Sequence, residues 1–305
     1  MNSVQLARLY PQGLPPTITS TNIEAFDMKF FPPWKGTALA HEPERASPYV
    51  RPLRHLAAFV GVTVGISPAS TEAAPAPVAV RNIVLVHGAF ADGSSFASVI
   101  ERLQARGYHV TAVQNPLTSL ADDVAATNRV LRRQTDDVLL VGHSWAGAVI
   151  TEAGNASNVK GLVYLSALVP DSGESVADLL QRLNAPMSGL TPDPEGLIWL
   201  EDAATYRQVM AADVTTEKAA ELAALQQPIA AAAFGGKVGH AAWQDKPSWY
   251  LRTENDNALP PAVQEAMAQQ IGAQITSIPS SHMSLISNPD AVVDLIDRAA
   301  QQTGQ

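Results

Sequence analysis

The sequence predicts an α/β fold: a mainly parallel sheet flanked by helices, with a helical cap inserted after a core strand. Three observations carry this expectation. From residue 81 onward, short continuous apolar runs alternate with helix-length stretches, as strands buried on both faces alternate with crossover helices. The alternation stops between Asp171 and about Lys246, in a helix-prone stretch rich in Ala, Leu, Glu and Gln, and then resumes. A glycine-flanked turn, Gly142-His143-Ser144-Trp145-Ala146-Gly147, sits between an apolar run and a helical stretch.

The elements follow in order. Asn82 to Val86 is a first strand ending in His87-Gly88, followed by a helix from about Ser95 to Arg106. Tyr108 to Val113 is a second strand, and Ala121 to Gln134 a second helix. A third strand, Asp137 to Val141, runs into the Ser144 turn and a helix to about Gly154. Val159 to Leu165 is the fourth strand, and after Val169-Pro170 comes the cap. The sheet resumes at Ser248 to Arg252, followed by a helix near Pro261 to Ile271, a strand at Gln274 to Ile278 and a closing helix from Asn288 to Gln301. Residues 77–170 and 247–305 therefore form the core and 171–246 the cap. No internal repeat at a solenoid period is present.

The N-terminal part is organised differently. Residues 1–50 are rich in proline and lack a helical or strand period, so they are expected to be a disordered or untranslated leader. Arg51, Arg54 and His55 then precede the apolar run Leu56 to Ile66 and a small-residue segment reaching Ala76. A basic flank, a short apolar stretch and small residues match a secretory signal peptide, whereas a spanning helix needs about 20 apolar residues. The expectation is a periplasmic or secreted protein with no stable membrane anchor, whose translation starts at Val50 from a GTG codon. If the segment is not recognised, the protein stays in the cytoplasm.

Composition narrows the function. At 305 residues, 46% hydrophobic and 16% charged, the chain can bury one substantial core. A net charge of −9 argues against a nucleic-acid surface, which needs clustered Lys and Arg, and favours a small-molecule partner. With no cysteine, disulfide and thiolate chemistry are excluded.

The chemistry-bearing residues sit at the carboxyl ends of predicted strands, where a parallel sheet gathers its loops. Ser144 is the candidate nucleophile, in a strand-turn-helix setting where small neighbours let the hydroxyl stand exposed. The last position of the G-x-S-x-G pattern is Ala146, with Gly147 one later, so the strict motif is not met. A serine that only caps the following helix would leave Gly142 and Gly147 without a purpose. A developing oxyanion needs two backbone N–H donors, each worth about 3 kcal/mol. Trp145 supplies one, and the loop His87-Gly88-Ala89-Phe90 the other, assigned to Ala89 with Phe90 and Gly88 as neighbours.

The base must be a late histidine. His282, after the last strand and before the last helix, meets that requirement. His41 and His55 lie outside the core, His109 within a strand and His240 in the cap, while His87 and His143 flank the site as packed histidines. The orienting acid should follow the strand Ser248 to Arg252. Asp256 is the first choice, with Glu254 and Asp171 as alternatives.

At these residues the chain resembles the α/β-hydrolase superfamily, and more narrowly the branch of plant methylesterases, hydroxynitrile lyases and their bacterial serine esterase relatives. The resemblance covers about residues 81 to 300. It rests on Leu85-Val-His-Gly-Ala89, Gly142-His-Ser-Trp-Ala-Gly147, Leu162-Val-Tyr-Leu165, Ser281-His-Met283 and the Asp256 loop. It implies a triad of Ser144, Asp256 and His282, with no metal and no organic cofactor. Hydroxynitrile lyases of this branch carry Thr where Gly88 stands and Lys where Met283 stands. Without a cation at 283 to stabilise cyanide, the resemblance implies hydrolysis of a small-molecule ester, the alternatives being carbon–carbon cleavage or perhydrolysis on the same triad and a non-catalytic receptor on the same scaffold.

Overall fold

The computed structural model describes residues 80–303 apart from 186–188 and 201. The leader and signal-peptide expectations therefore lie outside the described residues.

Six parallel strands form the sheet: β1 (Asn82–Val86), β2 (His109–Val113), β3 (Val138–His143), β4 (Val159–Leu165), β7 (Ser248–Thr253) and β8 (Gln274–Ile278), in the order β2-β1-β3-β4-β7-β8. β1 and β3 are buried throughout, while the edge strands β2 and β8 are largely half-buried or exposed. That is why the central runs are continuously apolar and the edges are not. β1, β4 and β8 have the expected bounds. β3 continues two residues beyond expectation because Gly142 and His143 still pair with Tyr164 and Leu165 of β4.

Alternate residues of each strand enter two separate cores. Ile83, Leu85, Leu139, Val141, Val163, Leu165 and Trp249 pack with α1 (Ala97–Ala105) and α9 (Pro289–Gln302) on one face. Val84, Val86, Val138, Leu140, Leu162 and Tyr164 face α2 (Leu120–Leu131), α3 (Ala146–Ala153), α7 (Pro261–Gln270) and the cap on the other. α1 starts after a short 3-10 turn, Gly93–Phe96, which Asp92 caps by accepting from the Ser94 amide.

Between β4 and β7 lie α4 (Val176–Arg182), α5 (Ala203–Val209) and α6 (Thr216–Leu225), each begun by a side-chain cap from Ser175, Asp202 or Thr215. The segment is not wholly helical, as the sequence led us to expect. Gly196, at φ +82°, belongs to a turn in which the Asp193 amide donates to the Leu197 carbonyl, and β5 (Leu197–Ile198) then pairs antiparallel with β6 (Ile229–Ala230), burying Ile198 and Ile229. The helices are short because these turns interrupt them. A four-residue α8 (Ser284–Ser287) before α9 also escaped the sequence reading.

The β3–α3 turn is packed too tightly for side chains at its flanks. A Cβ on Gly142 would lie 2.7 Å from the Ala146 carbonyl oxygen, and one on Gly147 would lie 2.3 Å from that of Leu168. Ala146 itself is fully buried without conflict, so the close approach falls at 147, one place later than the strict motif puts it. Gly147→Ala must displace backbone. It is expected to cost at least the ~1–3 kcal/mol typical of overpacking, read as a lowered urea midpoint at unchanged m-value. An unchanged midpoint would contradict the tight turn.

Candidate active site

Ser144 follows β3 directly and adopts φ +55°, a left-handed conformation unusual for a residue with a Cβ. Such a residue costs about 1–3 kcal/mol and persists only where its surroundings over-determine it. Here its amide donates to the Leu165 carbonyl (3.0 Å), while its own carbonyl accepts from the Gly147 (2.9 Å) and Leu168 (3.0 Å) amides. Gly88 lies against it: a Cβ there would be 2.8 Å from the Ser144 Cβ and 2.9 Å from the His143 carbonyl oxygen.

His282 and Asp256 are brought together from the loops after β8 and β7. Nδ1 of His282 donates to Oδ2 of Asp256 at 2.7 Å, and both side chains are almost entirely buried. Asp256 also accepts from the Thr253 hydroxyl (2.8 Å) and Gln264 Nε2 (2.9 Å) at Oδ2, and from the Ala258 and Leu259 amides (2.8 Å each) at Oδ1. Burial raises its carboxyl. The charge and hydrogen bond of His282, with the Leu259 and Thr253 bonds, outweigh that and hold it below the usual carboxylate range. The alternative acids lie elsewhere. Glu254 is exposed and faces Arg252 at 3.4 Å, and Asp171 lines an open acidic cleft with Glu174 and Asp178.

The two flanking histidines are structural. Nε2 of His87 accepts from the Asn115 amide at 2.9 Å, so Nδ1 carries the proton and donates to the Gly88 carbonyl at 2.9 Å. Burial lowers the pKa of this ring, against smaller opposing effects of the Gly88 bond and Asp92. His143 donates from Nε2 to the carbonyl of His282 at 2.9 Å. Burial, and then the charge of His282, push its pKa down to about 3, so it is neutral at ordinary pH. His109 and His240 are exposed, and His240 pairs with Asp245 at 2.6 Å.

Ser144, His282, Ala89, Phe90 and Trp145 all line one cavity of about 600 Å³. Among the described residues, the amides of Ala89, Phe90 and Trp145 are bonded to no backbone or side-chain acceptor. Phe90 adopts φ +58°, and its carbonyl accepts from the hydroxyl of the cap residue Tyr206 at 3.1 Å. The remaining walls come from the cap (Leu180, Leu190, Trp199, Leu200, Met210, Phe234) and from the loop Asn257 to Pro260. Met283 does not line this cavity; it is fully buried in the apolar core beneath it. Among the described residues, no Asp, Glu, Lys or Arg lines the cavity and no metal-holding cluster of His, Asp or Glu occurs.

The family model described as "Alpha/beta hydrolase family" matches residues 83–295. This chain belongs to the α/β hydrolase family. It is 31% identical over 242 residues to the α/β hydrolase nvfD of Aspergillus novofumigatus, covering 72% of this chain and 96% of that one. It is 28% identical over 260 residues to a pyrethroid hydrolase of Sphingobium wenxiniae, covering 73% and 90%. Among solved structures, a methylesterase of Arabidopsis superposes with a TM-score of 0.60 at 21% identity, over 72% of this chain and 98% of that one.

One feature of this hydrolase was hidden from sequence reasoning. Asp123, in the first turn of α2 behind the cap Ser119, looks there like an ordinary helix-start acid. In the fold it is fully buried, accepting from the Trp145 indole Nε1 (2.7 Å) and the Leu117 amide (2.8 Å). It thereby anchors the side chain of the residue beside Ser144, whose indole also meets Phe234 of the cap edge-on at 5.2 Å. Burial pushes the Asp123 carboxyl up to about 6, against the lowering effect of its Trp145 and Leu117 bonds. The folded chain then binds a proton below about pH 6 that the unfolded chain takes up only near pH 4. The resulting stabilisation is complete below about pH 4 and lost as pH rises through about 6. Asp123→Asn should remove it. Measured by urea unfolding, the stability of wild type relative to this variant should increase as pH falls from about 6 to about 4, and a constant difference would contradict the assignment.

Proposed function

We propose that this hydrolase is a serine esterase that cleaves a carboxylic ester of a small, uncharged, largely apolar substrate through an acyl-enzyme on Ser144. The observation that carries the reading is the Asp256–His282 bond beside a cavity that His282 shares with Ser144 and three unbonded amides. Asp256 holds the proton on Nδ1, which leaves Nε2 of His282 as the basic nitrogen. Nε2 takes the Ser144 hydroxyl proton as Oγ attacks the ester carbonyl, and the amides of Ala89 and Trp145 receive the oxyanion. The protonated ring then gives its proton to the departing alcohol. A water, deprotonated by the same nitrogen, attacks the acyl-enzyme, and the ring returns that proton to Ser144 Oγ as the acid is released, so the two halves of the cycle balance in protons.

Substrate character follows from the lining. A cavity of this size suits a molecule of drug-like dimensions, and burying a charge among these walls without a partner is costly. A pyrethroid hydrolase and a methylesterase among the similar proteins support ester hydrolysis. Cyanohydrin cleavage is disfavoured, because Gly88 leaves no room for a Cβ and position 283 presents no cation to the cavity.

Ser144→Ala should abolish both fluorophosphonate labelling and turnover of p-nitrophenyl esters, and Asp256→Asn should lower kcat by about 10⁴-fold through the wrong imidazole tautomer. Retained turnover in the Ser144 variant would refute the mechanism. Across an ester panel of equal size, kcat/KM should fall by about tenfold or more when the acyl group carries a carboxylate or ammonium. Equal rates for charged and neutral members would refute the substrate class. We further propose that residues 51–76 direct export to the periplasm or medium. Intact-mass measurement of the exported protein should place its N-terminus near residue 77, and a mature N-terminus before residue 50 would overturn this.

A further inference from the structure

The end of α5 and the turn that follows it, Tyr206 to Asp213, touch three loops that carry proposed catalytic groups: the oxyanion loop and the loops of Asp256 and His282. Tyr206 holds the Phe90 carbonyl of the oxyanion loop. The Gln208 carbonyl accepts from Asn257 Nδ2, next to Asp256, at 2.8 Å. The Met210 carbonyl accepts from the Met283 amide, next to His282, at 3.1 Å. The densest contact is at Asp213. Its carboxylate accepts from the Ser281 hydroxyl (2.5 Å) and amide (2.9 Å), the Ser280 hydroxyl (3.1 Å) and the Ser287 hydroxyl (2.8 Å).

We propose that Asp213 is a positioning residue for His282, by which the cap holds the base in line with Ser144. The geometry leaves this loop little else to do. His282 is flanked by Ser281, whose two polar groups are both spent on Asp213, and by Met283, whose amide is spent on Met210. The carbonyl of His282 itself is held by His143. The elbow therefore fixes one side of the loop, and the cap fixes the other. Asp256 sets the tautomer and tilt of the ring through Nδ1, but a single bond leaves the backbone beneath it free to shift. Partial burial raises the Asp213 carboxyl, and the serine bonds outweigh it, keeping the group ionised at neutral pH as a strong acceptor. An acceptor of that kind resists the stretching that moves a base off its nucleophile, where ~1 Å can cost about 10²-fold in rate.

This inference rests on His282 being the base. The test is steady-state hydrolysis of a p-nitrophenyl ester by the full chain carrying Asp213→Ala, Asp213→Asn or Ser281→Ala, with His282→Ala as the reference for loss of the base. Asp213→Ala should lower kcat by about 10- to 100-fold with KM changed less than about threefold. Asp213→Asn, which keeps an acceptor oxygen, should recover part of the loss. The downfield proton resonance of His282 Nδ1–H should exchange faster with water in the alanine variant. Should that variant fail to fold, Ser281→Ala, which removes one donor and leaves the cap intact, carries the same expectation at smaller size. Wild-type kcat in both variants, or a raised KM at unchanged kcat, would overturn the positioning role. Full turnover in His282→Ala would instead overturn the catalytic reading on which it stands.

Discussion

The left-handed turn at Ser144 is the constraint on which the rest of the site depends. A serine at φ +55° is held there by three backbone bonds, to Leu165, Gly147 and Leu168. Those partners exist because β3 lies between β1 and β4 in the sheet, so that the carboxyl ends of both neighbours border the turn. Gly88, at the end of β1, closes one side at a distance that admits no Cβ, and the Ser166 to Leu168 segment closes the other. The proposed oxyanion loop and the proposed nucleophile are thus neighbours by topology, before any side chain is chosen. The strain of the turn is offset by the same packing, which explains why its glycines answer to sterics more than to flexibility.

A second consequence concerns charge. The protein carries nine net negative charges, yet among the described residues no Asp, Glu, Lys or Arg lines the cavity. A buried carboxylate is tolerable only when its lone pairs are met, and Asp256 meets five donors. Asp123 shows the other regime. It has two donors and more complete burial than they offset, so its affinity for protons rises where that of Asp256 falls. The charge of His282 and the larger number of donors on Asp256 separate the two behaviours.

How much of this could be read from the sequence follows from the range of the interactions. Strands were legible because β1, β3 and β4 are buried on both faces, which writes a continuous apolar run into the chain. Ser144, His282 and Asp256 were legible because each directly follows a strand, and a parallel sheet sends every strand end to one edge. Glu254 and Asp256 could not be separated on that ground, since both sit in the same loop. In the fold they differ: Asp256 is buried, bonded to His282 and to the Ala258 and Leu259 amides, while Glu254 is exposed. Gln264, Asp123, Tyr206 and Asp213 left no trace in the sequence. Each is a polar residue in or beside a helical stretch, where such residues normally face water. Their decisive partners, Asp256, Trp145, Phe90 and Ser281, lie at least eight residues away, and in most cases in another element. The short β5–β6 pair was missed for a similar reason, since two-residue strands carry no period.

The cap consequently has two parts under different physical demands. Leu180, Leu190, Trp199 and Leu200 offer the cavity mainly apolar surface, and exchange among apolar side chains of similar volume there alters the shape available to a substrate with modest cost to the fold. The stretch from Tyr206 to Asp213 is bound by polar groups to three separate loops of the core, and loss of the Tyr206 or Asp213 bonds leaves a buried partner unsatisfied. Selection for a new substrate can therefore act on the first part while the second stays fixed. A cap that swung as one rigid piece would have to break all of these bonds at once, whereas Trp199, which lines the cavity and stands 42% exposed, takes part in none of them.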